Sequence, residues 1–271
     1  MTLTPFLIVL FAVCLTVNLV GFRQLVHFLN VGYAFAVVGM CAVTALVWRQ
    51  QLSVFAALHL AALSLWGLRL GIFVLRREAR PGYGKELAAI QQQYGGVTLP
   101  AKFAIWIAVS MLYVLMFLPA LYPVSGPQHI SSPAAEFVQA AGLAVLAGGL
   151  WMEIVADRQK SAFKAQNPHQ FCNIGLYRWV RCPNYLGEIF VWLGSWGMGI
   201  PFYTSFARWA ASLAGLVCII LIMMGSTKRL EKAQDERYGG DLLYQAYIHQ
   251  VPVLFPFLPI YTLKHVRVYL E

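Results

Sequence analysis

Long apolar runs broken by short polar stretches dominate this chain. A helix needs about 20 mostly apolar residues to cross the hydrocarbon of a bilayer. Seven runs qualify, at 5–22, 26–48, 54–75, 103–122, 137–156, 185–201 and 206–225. The pattern therefore predicts an all-α fold, a polytopic membrane bundle of seven transmembrane helices. The sixth run is short and rich in glycine (Gly187, Gly194, Gly197, Gly199), which suits close helix packing in a bundle. No helix-length repeat recurs and nothing is low-complexity, so 1–271 reads as a single membrane domain. Its tail, 228–251, carries charged pairs, the Gly239-Gly240 break and aromatics, and reads as an amphipathic cytoplasmic segment packing on the bundle. The opening MTLTPFLIVL lacks a basic n-region and a cleavage site, and is expected to stay as the first helix.

Composition agrees. Of 271 residues 59% are apolar and 11% charged, and the mean hydropathy is +0.64. These values lie outside the soluble globular class. The net charge of +9 does not point to nucleic acid, because the cations sit beside apolar spans. With the N-terminus outside and the C-terminus in the cytoplasm, 17 of the 20 Lys and Arg residues face the cytoplasm. Arg49 and Arg208 fall in outer loops, and Arg69 falls within the third span. The basic loops 77–101 and 157–182 fit positive-inside bias alone, and equally a cytoplasmic ligand bearing phosphates; charge count leaves both open. Cys14, Cys41, Cys172, Cys182 and Cys218 form no CxxC pair, and no His/Cys cluster has ligand spacing, so no metal is expected. No GxGxxG or Walker loop is present.

Charge inside the spans sharpens the picture, since ionisable groups there are costly and mark functional sites. Arg69 lies about two turns from the cytoplasmic end of its span. Glu153 and Asp157 are spaced i, i+4 and share a helix face, and Lys160 and Lys164 continue that stripe. This stripe also fits a solvated helix end with internal ion pairs. The stretch NIGLYRWVRCPNYLGE (173–188) gathers Arg178, Arg181, Asn184, Tyr185 and Glu188 at the start of a helix opened by Pro183. Free N–H groups, a favourable dipole and two arginines make it a candidate anion or nucleotide pocket.

At these residues the chain resembles the steroid 5α-reductase-like superfamily, in particular its bacterial branch of membrane reductases. The resemblance runs from about Leu65 onward. It rests on LWGLRL (65–70), EIVADRQKSAFK (153–164), GLYRWVRCPNYLGE (175–188) and a closing E…YGG…Y…P pattern (231–252). It implies a seven-helix bundle in a bacterial inner membrane that binds NADPH from the cytoplasmic side. Such a bundle delivers hydride to a C=C bond conjugated to a carbonyl in a lipophilic, steroid-like or enoyl-lipid substrate. It further implies Asp157 and Lys164, with Glu153 and Lys160 on the same stripe, at the adenosine end of the cofactor. Asn184, Tyr185 and Glu188 would lie on the nicotinamide side, with Arg69, Arg178 and Arg181 near the phosphates. Animal members polarise the substrate carbonyl with a Gln-Glu pair opening the second helix and a Tyr in the third. Here Asn30 and Val31 stand at the pair and Trp66 near the Tyr, so Asn30, Tyr33 and Trp66 are the catalytic candidates. Cys182 replaces the His of an Arg-His-Pro motif.

A second reading is an S-adenosylmethionine-dependent membrane methyltransferase of the isoprenylcysteine or phospholipid type. Those enzymes carry an Arg-x-Pro-x-Tyr motif (here Arg181, Pro183, Tyr185) and acidic tail residues (Glu231, Asp235, Glu236). They have fewer helices and lack the ADR…K stripe. A non-enzymatic scaffold explains the helices but not the polar residues gathered on one side.

Overall fold

The structure is a computed structural model describing residues 3–80, 84, 96–125 and 132–266. Parts of two predicted loops, 81–83 with 85–95 and 126–131, lie outside the described residues. Among the described residues every regular element is helical. The α-helices are α1 (Leu3–Val17), α2 (Val31–Val47), α3 (Val54–Glu78), α4 (Leu99–Ser125), α5 (Pro133–Gln166), α6 (Pro183–Gly199), α7 (Phe206–Tyr238) and α8 (Leu242–Gln250).

Among the described residues six segments are long and apolar enough to cross a membrane: Leu3–Phe22, Leu25–Val47, Val54–Glu78, Leu99–Ser125, Pro133–Gln166 and Phe206–Tyr238. Their outward faces carry large apolar side chains such as Leu46 and Val54, as lipid contact requires. The chain is an integral membrane protein. The sixth predicted span, α6, has 17 helical residues, about 26 Å, and continues into a 3₁₀ turn at Ile200–Phe202.

Local chemistry sets the helix ends. Ser53 accepts from the Ala56 N–H at 3.2 Å to open α3, and Asp241 accepts from the Leu243 N–H at 2.8 Å to open α8. Pro133 and Pro183 take the first helical position of α5 and α6, where no N–H is needed. Several helices outrun their apolar runs: α5 has 34 residues and α7 has 33, each about 50 Å long.

The chain forms two compact units, residues 1–143 with 195–215, and residues 144–194 with 216–271. In the first unit α2 packs along α3 and α1 against α2 and α4. Its centre is aromatic. Tyr33 stacks on Tyr113 with centroids 4.9 Å apart and meets the edge of Trp66 at 5.1 Å. The Tyr113 hydroxyl donates to the Phe28 carbonyl at 2.6 Å, fixing the connector between α1 and α2.

The second unit is built around one close crossing. A Cβ placed on Gly149 of α5 would lie 2.5 Å from the Gly187 carbonyl oxygen of α6, and one on Gly187 would lie 2.8 Å from the Gly149 carbonyl oxygen. Backbone meets backbone there, which only glycine permits. Two apolar clusters extend the unit. Ala156, Cys172 and Tyr177 pack with Phe163, Ile174 and Leu176, and Phe171 is enclosed by Tyr238, Tyr244 and Tyr247.

Candidate functional site

The glycine crossing brings the first pair of candidates together. A Cβ on Gly187 would also meet the Glu153 Cγ at 2.8 Å and the Glu153 nitrogen at 3.0 Å, so Glu153 lies over the residue next to Glu188. Both carboxylates are buried, at 2% and 8% exposure. One turn earlier on α6, Asn184 and Tyr185 are half-buried, as are Asp157 and Lys160 further along α5. Arg178 is exposed.

The turn that carries Arg178 has its own support. Gly175 adopts φ +56°, the left-handed region that favours glycine. The Gln159 side chain fills the space a Cβ would need, and its Oε1 accepts from the Leu176 N–H at 2.9 Å. Gln159, inside the ADRQK stripe, was not singled out from sequence; its one signal is its place a turn before Phe163 on the face that packs the loop.

Arg181 sits differently from Arg178. Its guanidinium donates to Glu231 Oε1 at 2.9 Å with both side chains 2% exposed, and also to the Tyr261 carbonyl. Glu231 Oε2 accepts from the Leu263 N–H at 2.8 Å. The backbone follows the same path: the Arg181 N–H donates to the Pro252 carbonyl at 2.9 Å and the Cys182 N–H to the Val253 carbonyl at 3.1 Å. The segment after α8 is thereby stitched to the residues that open α6 and to the late turns of α7. A buried pair of this kind is satisfied only when both partners stay.

Lys164 is likewise engaged. Its ammonium donates to the Tyr238 hydroxyl at 2.5 Å, to the Pro168 carbonyl at 3.3 Å and to the Gln170 carbonyl. It closes the loop between α5 and α6 onto the end of α7. The closing E…YGG…Y…P pattern thus has structural work at its Glu, both Tyr and its Pro. Glu231 pairs with Arg181, Tyr238 takes Lys164, Tyr244 donates to Asp235 Oδ1 at 2.8 Å, and the Pro252 carbonyl takes the Arg181 N–H.

Two buried groups beside α6 sharpen its electrostatics. Burial pushes the Cys182 thiol up to about 12, outweighing the nearby Arg181, so it stays protonated. Burial, reinforced by Asp157, raises the Tyr177 phenol as well, and its hydroxyl has no hydrogen-bond partner among the described residues.

In the first unit the remaining candidates are separated by task. Asn30 caps α2, accepting from the Val31 N–H at 2.5 Å. Tyr33 and Trp66, 4% and 0% exposed, form the aromatic centre. Arg69 is half-buried with its guanidinium carbon 5.4 Å from the Phe73 ring centroid. A carboxylate that sequence reading passed over also lies here: Glu78 Oε2 meets His27 Nε2 at 3.1 Å.

An all-helical membrane protein with buried carboxylates at a helix crossing and cations on the adjoining loops is the class these features define. The chain belongs to the family described as Protein of unknown function (DUF1295), whose model matches residues 8–251, and with it to the steroid 5α-reductase-like superfamily. It is 33% identical over 82 residues to an uncharacterized protein of Schizosaccharomyces pombe, covering 30% of this chain and 22% of that one. It is 37% identical over 73 residues to the steroid 5-alpha-reductase DET2 of Gossypium hirsutum, covering 24% of this chain and 28% of that one. The chain therefore matches less than a third of the length of either relative. No solved structure matches it.

Proposed function

We propose that this chain is an NADPH-dependent membrane reductase that reduces a C=C bond conjugated to a carbonyl in a lipophilic, steroid-like or enoyl-lipid substrate. In this reading residues 1–271 form one domain of seven spans, N-terminus out and C-terminus in the cytoplasm, in a bacterial inner membrane. The observation that carries it is the burial of Glu153 and Glu188 at the glycine crossing, beside half-buried Asn184 and Tyr185 and close in sequence to the exposed cation Arg178.

These residues fit a dinucleotide. Arg178 and Lys160 retain exposure and can reach phosphate oxygens. The Asp157 carboxylate suits a ribose hydroxyl, and the Asn184 amide with the Glu188 carboxylate suits a carboxamide. Arg181 and Lys164 serve the site by holding the strands of chain around it, since their hydrogen bonds go to protein groups. Bound NADPH supplies the hydride. The protein's share is to orient the carboxamide through Asn184 and Glu188 and to keep water from the reacting centre with apolar walls. Within the first unit, Tyr33 is the phenol we propose as electrophile or proton donor toward the substrate carbonyl. Trp66 and Tyr113 hold its ring in place and Asn30 fixes the start of its helix.

The test titrates purified full-length protein with NADPH and, separately, with S-adenosylmethionine. NADPH should bind, and Glu188→Ala should weaken it roughly 10- to 100-fold, as loss of a hydrogen bond to a charged group does. The same variant should lose NADPH oxidation with a 4-en-3-one sterol or an enoyl lipid. Saturable binding of S-adenosylmethionine without NADPH binding, or undiminished turnover in Glu188→Ala, refutes the assignment.

A further inference from the structure

The segment after α8 ends in an unusual loop, VLFPFLPI at 253–260. Its base is closed by the Val253 N–H donating to the Ile260 carbonyl at 2.9 Å, and Val253 and Leu254 are fully buried. Its tip is the reverse: Phe257 is 96% and Leu258 50% exposed. An apolar tip on a buried base raises the question of what covers it.

The anchoring of the loop answers it. The apolar run of α7 ends at Lys228-Arg229, where the helix leaves the hydrocarbon. The Lys228 ammonium donates to the Val266 carbonyl at 3.1 Å, and Glu231, about 4.5 Å further along the helix, accepts from the Leu263 N–H. The strand that returns from the tip is thus fixed to the first turns of α7 beyond the membrane boundary. Lys264, paired with Asp235 at 2.5 Å, lies near the same level. An aromatic-and-aliphatic tip flanked by cations is the composition of a segment seated at an anionic bilayer surface.

The backbone of the tip is also prepared for lipid. Pro256 and Pro259 have no N–H to leave unsatisfied. The Leu258 N–H donates to the Phe255 carbonyl at 3.2 Å and the Ile260 N–H to the Leu258 carbonyl at 2.7 Å. Polar backbone groups entering an apolar phase must be satisfied internally, and the donors at 256, 258, 259 and 260 are absent or paired within the loop. A loop built to dock a soluble protein has no such need.

We propose that the 253–260 loop is a bilayer wedge. Phe257 and Leu258 insert at the headgroup–acyl boundary of the leaflet that α7 leaves, while Lys228, Arg229 and Lys264 face anionic headgroups. The contact ties the C-terminal segment, and with it the Arg181–Glu231 pair, to the membrane surface independently of any catalytic reading.

The experiment reconstitutes the full chain in nanodiscs of phosphatidylcholine with or without phosphatidylglycerol, doped with a lipid carrying a diazirine in its acyl chain. After illumination, labelled peptides are mapped by mass spectrometry. The peptide spanning 251–260 should be labelled, more strongly when phosphatidylglycerol is present. Phe257→Ser with Leu258→Ser should reduce labelling several-fold without changing that of α7 peptides. An unlabelled 251–260 peptide alongside labelled α7 peptides overturns the proposal. So does cross-linking of the loop to a second copy of the chain in place of lipid. Because the unsubstituted protein supplies the primary map, a poorly folding variant does not remove the test.

Discussion

Gly148 and Gly149 are neighbours in sequence on α5, and their replacement by alanine should have opposite effects. A Cβ on Gly148 meets nothing within 4 Å. Alanine there lowers the backbone entropy lost on helix formation and should stabilise by about 0.5–1 kcal/mol. A Cβ on Gly149 would meet the Gly187 carbonyl oxygen at 2.5 Å, the Val191 nitrogen at 2.6 Å and the Phe190 Cβ at 2.9 Å. Two of these are backbone atoms of α6 and cannot rotate away. Restoring ordinary contact at 3.4 Å requires α5 and α6 to part by about 0.9 Å (3.4 − 2.5). Forced repacking of this size costs about 1–3 kcal/mol, which outweighs the helix-propensity gain. The difference between the two variants should therefore be about 1–3 kcal/mol, with Gly149→Ala the less stable, because the propensity gain is common to both. Thermal unfolding in one detergent, followed by tryptophan fluorescence or by loss of monodisperse protein, reads this directly. Equal midpoints for the two variants would show that the helices do not cross backbone to backbone, and the placement of Glu153 over Gly187 would fall with it.

Other consequences follow from the same unit. Arg181→Ala or Glu231→Ala should each destabilise by about 3–5 kcal/mol by leaving an uncompensated buried charge, while Arg181→Met combined with Glu231→Leu should recover most of the loss in the same melting assay. Cys182 should resist maleimide at pH 8 in folded protein and react after denaturation, since burial holds its thiol protonated up to about 12. The raised value sets the sign of the pH dependence as well. The folded thiol keeps its proton where the unfolded one loses it, so this contribution is intact below pH 9.0 and drains away as pH climbs toward 12, and Cys182→Ala should make the alkaline decline shallower. Gly175→Ala should destabilise by about 1–2 kcal/mol through the left-handed backbone alone, and a further loss from displacing Gln159 should vanish in a Gln159→Ala background.

Hydropathy located the spans well and their ends poorly, for a physical reason. An apolar run reports where lipid is, whereas a helix continues as long as its backbone hydrogen bonds and side-chain spacing allow. Thus the run 137–156 became α5, Pro133–Gln166, and 206–225 became α7, Phe206–Tyr238. The extra turns are the charged stripes, Glu153 to Lys164 and Lys228 to Arg237, whose spacing keeps them helical in water. At the other extreme, the run 5–22 is α-helical only to Val17 and then tightens into a 3₁₀ turn at Asn18–Phe22. Pro183 did mark the start of α6, because a missing N–H is a local signal. The partner of Arg181 had no such signal. Glu231 lies 50 residues away, and in sequence Arg181 reads as part of an anion pocket and Glu231 as part of the tail pattern, with nothing to join them. Gln159 was hidden in the same way, since nothing near it announces a left-handed glycine 16 residues later.

The path of hydrogen bonds from Arg181 has a bearing on biogenesis. Arg181 leaves the ribosome 80 residues before Tyr261, whose carbonyl it will hold. At about 5–20 residues per second the guanidinium waits on the order of 4–16 s for its last acceptor. Until then the turn that opens α6 carries an arginine whose acceptors are not all in place, so the second unit closes only after residue 261 has been made. Nascent chains stalled or cut before residue 261 are left with that unit ajar, and quality-control proteases should find them there.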